Sequence, residues 1–188
     1  SVKAKTLEVM AEVCGYKLNQ TNAKDGVNPN DTNAEFQLEK NKIEKIKIGL
    51  FGFGRIGRNI FRIGYEDPRF EFVAISDLGD VEAMHYLLMR DSIHGAMKSD
   101  IRLEGKDLIY NESSTRLLPG AAPGSIPWDA FDVDMVIDST GVYRKREELQ
   151  MHIDSGAKRV LVSKPPVNEI DRIVIQGINE DQIKYDDK

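Results

Sequence analysis

The residues whose types and spacing could do chemistry begin at position 52, in the run Gly52-Phe53-Gly54-Arg55-Ile56-Gly57, a G-x-G-x-x-G pattern. Each glycine has its own task if a pyrophosphate is to be bound. The first allows a tight turn out of a strand, the second lets the backbone approach the phosphates, and the third lets the next helix pack against the sheet. The N–H groups at the start of that helix, with the positive end of its dipole, then face the anion. Such spacing also arises by chance. Here it sits between a strand pattern and a helix pattern, with Asp77 twenty positions beyond Gly57 at the end of the next strand pattern. A carboxylate there accepts hydrogen bonds from a ribose hydroxyl and repels a ribose 2′-phosphate, favouring NAD over NADP. The plainer alternative for Asp77 is a turn residue or helix N-cap.

Two further groups end later strand patterns: Asp138-Ser139-Thr140-Gly141 and Ser163-Lys164-Pro165-Pro166. In an open parallel sheet, ligands bind beyond the carboxyl ends of the strands, where strand order reverses. Ser139, Thr140, Gly141 and Ser163 are thereby placed to line a cofactor, although the same residue types serve equally as loop and capping residues. Other chemistry finds little support. The single thiol, Cys14, lies upstream of the glycine run on an apolar helical stripe and reads as a packed structural cysteine. His85, His94 and His152 fall at no metal-ligand spacing and read as structural or solvent-facing, and the acidic residues form no calcium-loop pattern.

The elements that must position these residues follow from the hydrophobic pattern. Short apolar runs at 46–51, 70–76, 134–138, 159–163 and 172–176 read as buried strands. Helical patterns at 55–65, 80–88 and 144–155 fall between them. That alternation predicts an α/β fold, a doubly wound, mostly parallel sheet of Rossmann type with helices on both faces. Residues 100–130 break the rhythm: 101–103, 106–110 and 115–118 alternate around Gly105 and Asn111, as in a small antiparallel meander. The expected domain spans 46–188. Ahead of it, 1–45 reads as a helical extension with a flexible linker, the stripe Leu7, Met10, Cys14 and Leu18 followed by an Asn-, Gly- and Pro-containing loop. Such an extension packs on its own domain or subunit, or docks into a partner's groove.

Bulk properties narrow the field. A net charge of -5 argues against nucleic acid or an anionic membrane as principal partner. No apolar run approaches the roughly 18 to 20 residues of a membrane span, and the N-terminus shows neither a secretory nor a transit layout. One cysteine excludes an internal disulfide. The expected location is cytoplasmic.

Further landmarks carry a family resemblance. The segment from Phe51 to Arg58 resembles the opening signature of the glyceraldehyde-3-phosphate dehydrogenase family. Tyr86-Leu87-Leu88-Met89-Arg90-Asp91-Ser92-Ile93-His94-Gly95 resembles its "YLLKYDSVHG" segment. Ile126-Pro127-Trp128, the stretch from Val136 to Tyr143, the stretch from Gly156 to Ser163, and Gly177-Ile178-Asn179-Glu180-Asp181 follow in the family's order. The resemblance implies an NAD-dependent, phosphorylating oxidation of an aldehyde, with hydride transfer from a thiohemiacetal to NAD in a homo-oligomer, usually a tetramer. By the same resemblance, Arg55 and Ile56 offer backbone N–H groups to the pyrophosphate, Asp77 holds the adenosine ribose, and Arg90 lies near the adenine. Thr140 and Ser163 border the cofactor towards the nicotinamide. Ser76 stands where the family usually has Asn, and Lys164 and Pro166 replace small residues, so the departures fall at both ends of the cofactor. The family's nucleophilic cysteine, in a "SNASCTTN" segment, and its histidine partner lie beyond the point where this sequence stops. The expectation is therefore a cofactor-binding domain without its catalytic domain, inactive in isolation and exposing an apolar patch. Erythrose-4-phosphate dehydrogenase shares these landmarks. The competing classes are a standalone dinucleotide-binding or regulatory module and an interaction protein assembled through its extension.

Overall fold

The computed structural model describes residues 45–188 except Ala121, Gln176 and Tyr185. The expected extension, its linker and Cys14 lie outside the described residues. The elements run β1 (Ile46–Phe51), α1 (Arg55–Gly64), β2 (Phe70–Asp77), α2 (Val81–Met89), β3 (Arg90–Asp91), β4 (Gly95–Ala96), β5 (Arg102–Glu104), β6 (Asp107–Tyr110), β7 (Ser113–Pro119), β8 (Met135–Asp138), α3 (Arg146–Asp154) and β9 (Arg159–Val162). Short 3-10 turns occupy Trp128–Phe131 and Glu180–Gln182.

Seven strands form one sheet in the order β5-β6-β7-β2-β1-β8-β9. From β7 to β9 every pairing is parallel, while β5 and β6 extend the β7 edge antiparallel. Burial on both faces explains why the central strands are almost wholly apolar. Ile46, Ile48 and Leu50 of β1 pack with Phe61 of α1 and with Met84 and Leu88 of α2. Phe61 is the hub of that face: its ring lies 5.1 Å from Phe72 and 5.4 Å, edge-on, from Tyr110. On the other face Phe51 packs with Trp128, Val136 and Ala157, and its ring meets the edge of His152 from α3. Gly49 belongs to this face because a Cβ there would lie 2.7 Å from the Trp128 ring. Helices therefore cover both sides, as the doubly wound reading requires.

One expectation is corrected. Residues 172–175 form no ladder: Ile173 and Ile175 remain more than half exposed, and the chain turns back through Ile175 N–H to Asn179 Oδ1 at 2.6 Å. An apolar run becomes a parallel strand when both faces are covered. Here the described chain leaves the segment standing off β9, across a groove of about 540 Å³ bordered by Ile60, Leu161, Ile170 and Val174. The predicted meander is present as the antiparallel strands β5, β6 and β7, and β7 also joins β2 in parallel, with Leu117 buried opposite Ile75.

Candidate functional site: a crevice at the sheet's switch point

β1 leads through α1 to β2 on one side, and β8 leads through α3 to β9 on the other. The loops after β1 and β8 therefore part, and a crevice opens between them at the carboxyl edge of the sheet.

The three glycines of the first loop answer to different neighbours. Gly52 adopts φ +93°, and a Cβ on it would lie 2.7 Å from the Thr140 nitrogen. A Cβ on Gly57 would lie 2.2 Å from the Gly52 carbonyl oxygen. Both are thus glycine for the protein's own packing. A Cβ on Gly54 would meet nothing within 4 Å, and its φ of −66° suits any residue. Nothing among the described residues demands glycine there, and the backbone at that point stands open to close approach.

Helix α1 starts at that open glycine with no side-chain cap and no acidic residue in its first turn. The other two helices differ. Asp80 caps α2 by accepting from Ala83 N–H, and Glu148 accepts from Arg144 and Lys145 N–H at the start of α3, which holds its carboxyl below the ordinary carboxylate value. The exposed Arg55 and Ile56 carry N–H groups that no intrahelical carbonyl can satisfy. Arg58 braces the loop, donating to the Phe53 carbonyl at 2.9 Å.

Asp77 ends β2 beside the loop. One carboxylate oxygen accepts Phe53 N–H and the other accepts Gly79 N–H at 2.9 Å. The turn role and a place at the crevice are therefore one arrangement, since the half-buried carboxylate lies against the glycine loop. Across the crevice, Ser139 donates its hydroxyl to the Gly52 carbonyl at 2.6 Å, tying the ends of β1 and β8 together. Thr140 donates both its N–H and its hydroxyl to one oxygen of Asp138. Gly141 takes φ +70°, and a Cβ there would lie 2.9 Å from Lys164 Nζ, so the departure from the family pattern puts an ammonium group over this turn. Ser163 N–H donates to the Asp138 carbonyl at 3.0 Å, bringing the end of β9 alongside.

Gly52, Gly54, Arg55, Ile56, Gly57, Asp77, Ser139, Thr140, Gly141 and Ser163 thus gather at one edge of the sheet. Arg90 does not. It follows the C-terminal end of α2, over the Tyr86 ring at 4.8 Å. There Arg62, from the last turn of α1, donates to the Leu88 and Gly95 carbonyls. Helix α1 begins at the crevice and runs ten residues away from it, roughly 15 Å at 1.5 Å per residue, so Arg90 stands at the opposite end. Arg90 is thus the one predicted site residue that the fold sets apart from the others.

His85 donates Nε2–H to the Ile101 carbonyl and pins α2 to the start of the β5 region. His94 sits exposed against Asp91. His152 is fully buried, a feature hidden in its polar surroundings in sequence. Among the described residues no group of three His, Cys, Asp or Glu side chains is placed to hold a metal, and no described helix is long and apolar enough to cross a membrane.

A parallel sheet with this switch point, an uncapped helix start and an acidic residue ending the second strand defines a dinucleotide-binding α/β domain. The family model described as "Glyceraldehyde 3-phosphate dehydrogenase, NAD binding domain" matches residues 46–146. The chain belongs to the glyceraldehyde 3-phosphate dehydrogenase family and carries its NAD-binding domain. It is 39% identical over 143 residues to a glyceraldehyde-3-phosphate dehydrogenase of Geobacillus stearothermophilus, covering 76% of this chain and 42% of that one. It is 38% identical over 141 residues to glyceraldehyde-3-phosphate dehydrogenase 1 of Bacillus subtilis (strain 168), covering 75% of this chain and 41% of that one. The chain thus spans about two-fifths of the length of these relatives.

Proposed function

We propose that this chain supplies the cofactor half of an NAD-dependent, phosphorylating aldehyde dehydrogenase. The observation that carries the reading is the uncapped start of α1 at the open Gly54, with the Asp77 carboxylate alongside. The Arg55 and Ile56 N–H groups receive the pyrophosphate, and Asp77 accepts from the adenosine ribose. Thr140 and Ser163 border the nicotinamide side, with Lys164 adding a positive charge there. Bound NAD supplies the hydride acceptor for the oxidation. The proposed substrate is a phosphorylated aldehyde of the glyceraldehyde-3-phosphate kind, with erythrose-4-phosphate as the related alternative.

The covalent step of that reaction needs a thiolate with a base nearby. Cys14, the only cysteine in these 188 residues, precedes the crevice domain. The polypeptide is therefore proposed to bind NAD without turning over aldehyde, and to work within a cytoplasmic homo-oligomer. Titrating the 188-residue chain with NAD, then adding glyceraldehyde-3-phosphate and inorganic phosphate while following NADH absorbance, tests both parts. Saturable binding with no NADH is expected. No binding at millimolar NAD contradicts the first part, and steady NADH production contradicts the second.

A further inference from the structure

Behind the crevice lies a buried polar chain that cofactor binding does not explain directly. Trp128, His152 and Asp138 are each 0% exposed. Trp128 Nε1 lies 3.1 Å from His152 Nδ1. An indole N–H only donates, so Nδ1 must accept, and a neutral imidazole with an accepting Nδ1 carries its proton on Nε2. That Nε2–H faces Asp138 Oδ2 at 3.6 Å. Neither atom has a hydrogen-bond partner among the described residues; at 3.6 Å they face each other just beyond hydrogen-bond length. Because a buried carboxylate oxygen without a donor is costly, the N–H dipole aimed at it is the compensation the fold supplies. The other oxygen, Oδ1, accepts Thr140 N–H at 2.9 Å and the Thr140 hydroxyl at 2.7 Å. Thr140 Oγ1 in turn accepts Val142 N–H, and the Thr140 backbone presses on Gly52 so closely that a Cβ there would collide.

We propose that His152 is a positioning residue for the dinucleotide crevice: as the Nε2–H tautomer it orients the Asp138 carboxylate, which fixes the Thr140 turn opposite the glycine loop. The inference rests on the crevice being the NAD site. It makes α3, through a residue that touches no cofactor, a determinant of NAD affinity. Its specific content is polar: one ring nitrogen accepts from Trp128 and the other turns its N–H towards the Asp138 carboxylate. An amide side chain can reproduce that pairing, whereas an aliphatic side chain of similar bulk cannot.

The test compares NAD affinity in the full chain for the wild type, His152→Leu and His152→Gln, with thermal midpoints measured alongside. His152→Leu is expected to bind NAD about tenfold more weakly or worse, and His152→Gln to stay within about threefold of the wild type. Thr140→Val should weaken binding too, and the His152→Leu/Thr140→Val pair should add less than the two single losses combined, because both act through one turn. Unchanged affinity in His152→Leu, or equal loss in the Leu and Gln variants, overturns the positioning role. Should His152→Leu fail to fold, long-range 1H–15N correlation of the wild-type imidazole decides: Nε2–H with a bare Nδ1 is required, and a proton on Nδ1 overturns the assignment. A wild-type chain that ignores NAD while showing this tautomer refutes the crevice reading, and with it the functional part of the proposal, but leaves the tautomer assignment standing.

Discussion

Glycines sharing one motif need not share one reason, and Gly54 and Gly57 separate the two kinds. At Gly57 an added methyl group collides with the Gly52 carbonyl oxygen at 2.2 Å, so Gly57→Ala is expected to cost ~3 kcal/mol of stability, as overpacking does. At Gly54 the methyl group meets no protein atom. Gly54→Ala should therefore stay within about 1 kcal/mol of the wild type in stability, an N-cap effect, while losing NAD affinity tenfold or more. Urea unfolding and NAD titration of both variants check the split; a Gly54→Ala chain with normal affinity would contradict the phosphate assignment. These glycines were legible in the sequence because strand, loop and helix context surrounds them. Gly49 was not, since its reason is the Trp128 ring, a neighbour remote in sequence. His152 was hidden for the same cause. Its helix reads as polar and charged in sequence, and only the fold sets the ring between Phe51, Trp128 and Asp138.

At the scale of elements, the parallel strands were readable because burial on both faces leaves them nearly all apolar. The same criterion misled at 172–176, where an apolar run lies beside β9 without joining it; composition does not report whether a ladder partner is in reach. The β3–β4 hairpin escaped notice because it has no apolar pattern. It is held by Asp91, whose carboxyl is lowered to about 2 chiefly by accepting His94 N–H and then Ile93 N–H. The Ile93 and His94 amide resonances should accordingly titrate near pH 2 rather than near the ordinary 3.8; a midpoint at the ordinary value would show those bonds absent in solution. Tyr110 on β6 gives an alkaline counterpart. Burial pushes its hydroxyl up to about 12. A raised folded-state value means its stabilising contribution is complete below pH 10 and is lost as pH rises from 10 towards 12. Thr115 donates to the Phe72 carbonyl at 2.6 Å, leaving Tyr110 to donate to Thr115 at 2.8 Å. Tyr110→Phe orphans no donor and should cost about 1 kcal/mol at pH 7. It should also lose less stability than the wild type between pH 9 and 11.5. Equal losses in the two proteins would contradict the assignment.

At the scale of the whole molecule, one sheet opens a crevice at its switch point and leaves a groove beyond β9. The site has two walls, one from the loop after β1 and the other from the turns after β8 and β9. Their joint is made by polar ties: Ser139 to Gly52, and Thr140 through Asp138 towards His152. The family was legible from ordered landmarks, and the cofactor from one motif with its acidic partner. Arg90 stands apart from the other predicted site residues because its position follows from which way α2 runs and not from its neighbours in sequence. The central claim is that the crevice binds NAD with Asp77 on the ribose. Its most direct test is calorimetric titration of the wild type and Asp77→Ala with NAD and with NADP, thermal midpoints being recorded because Asp77 also holds the Phe53 and Gly79 amides. The account predicts that the wild type prefers NAD. It further predicts that the variant loses roughly ten- to hundredfold in NAD affinity, the worth of charge-assisted hydrogen bonds, with the margin over NADP narrowed. An unaltered preference in the variant, or a wild type that binds neither dinucleotide, would contradict it.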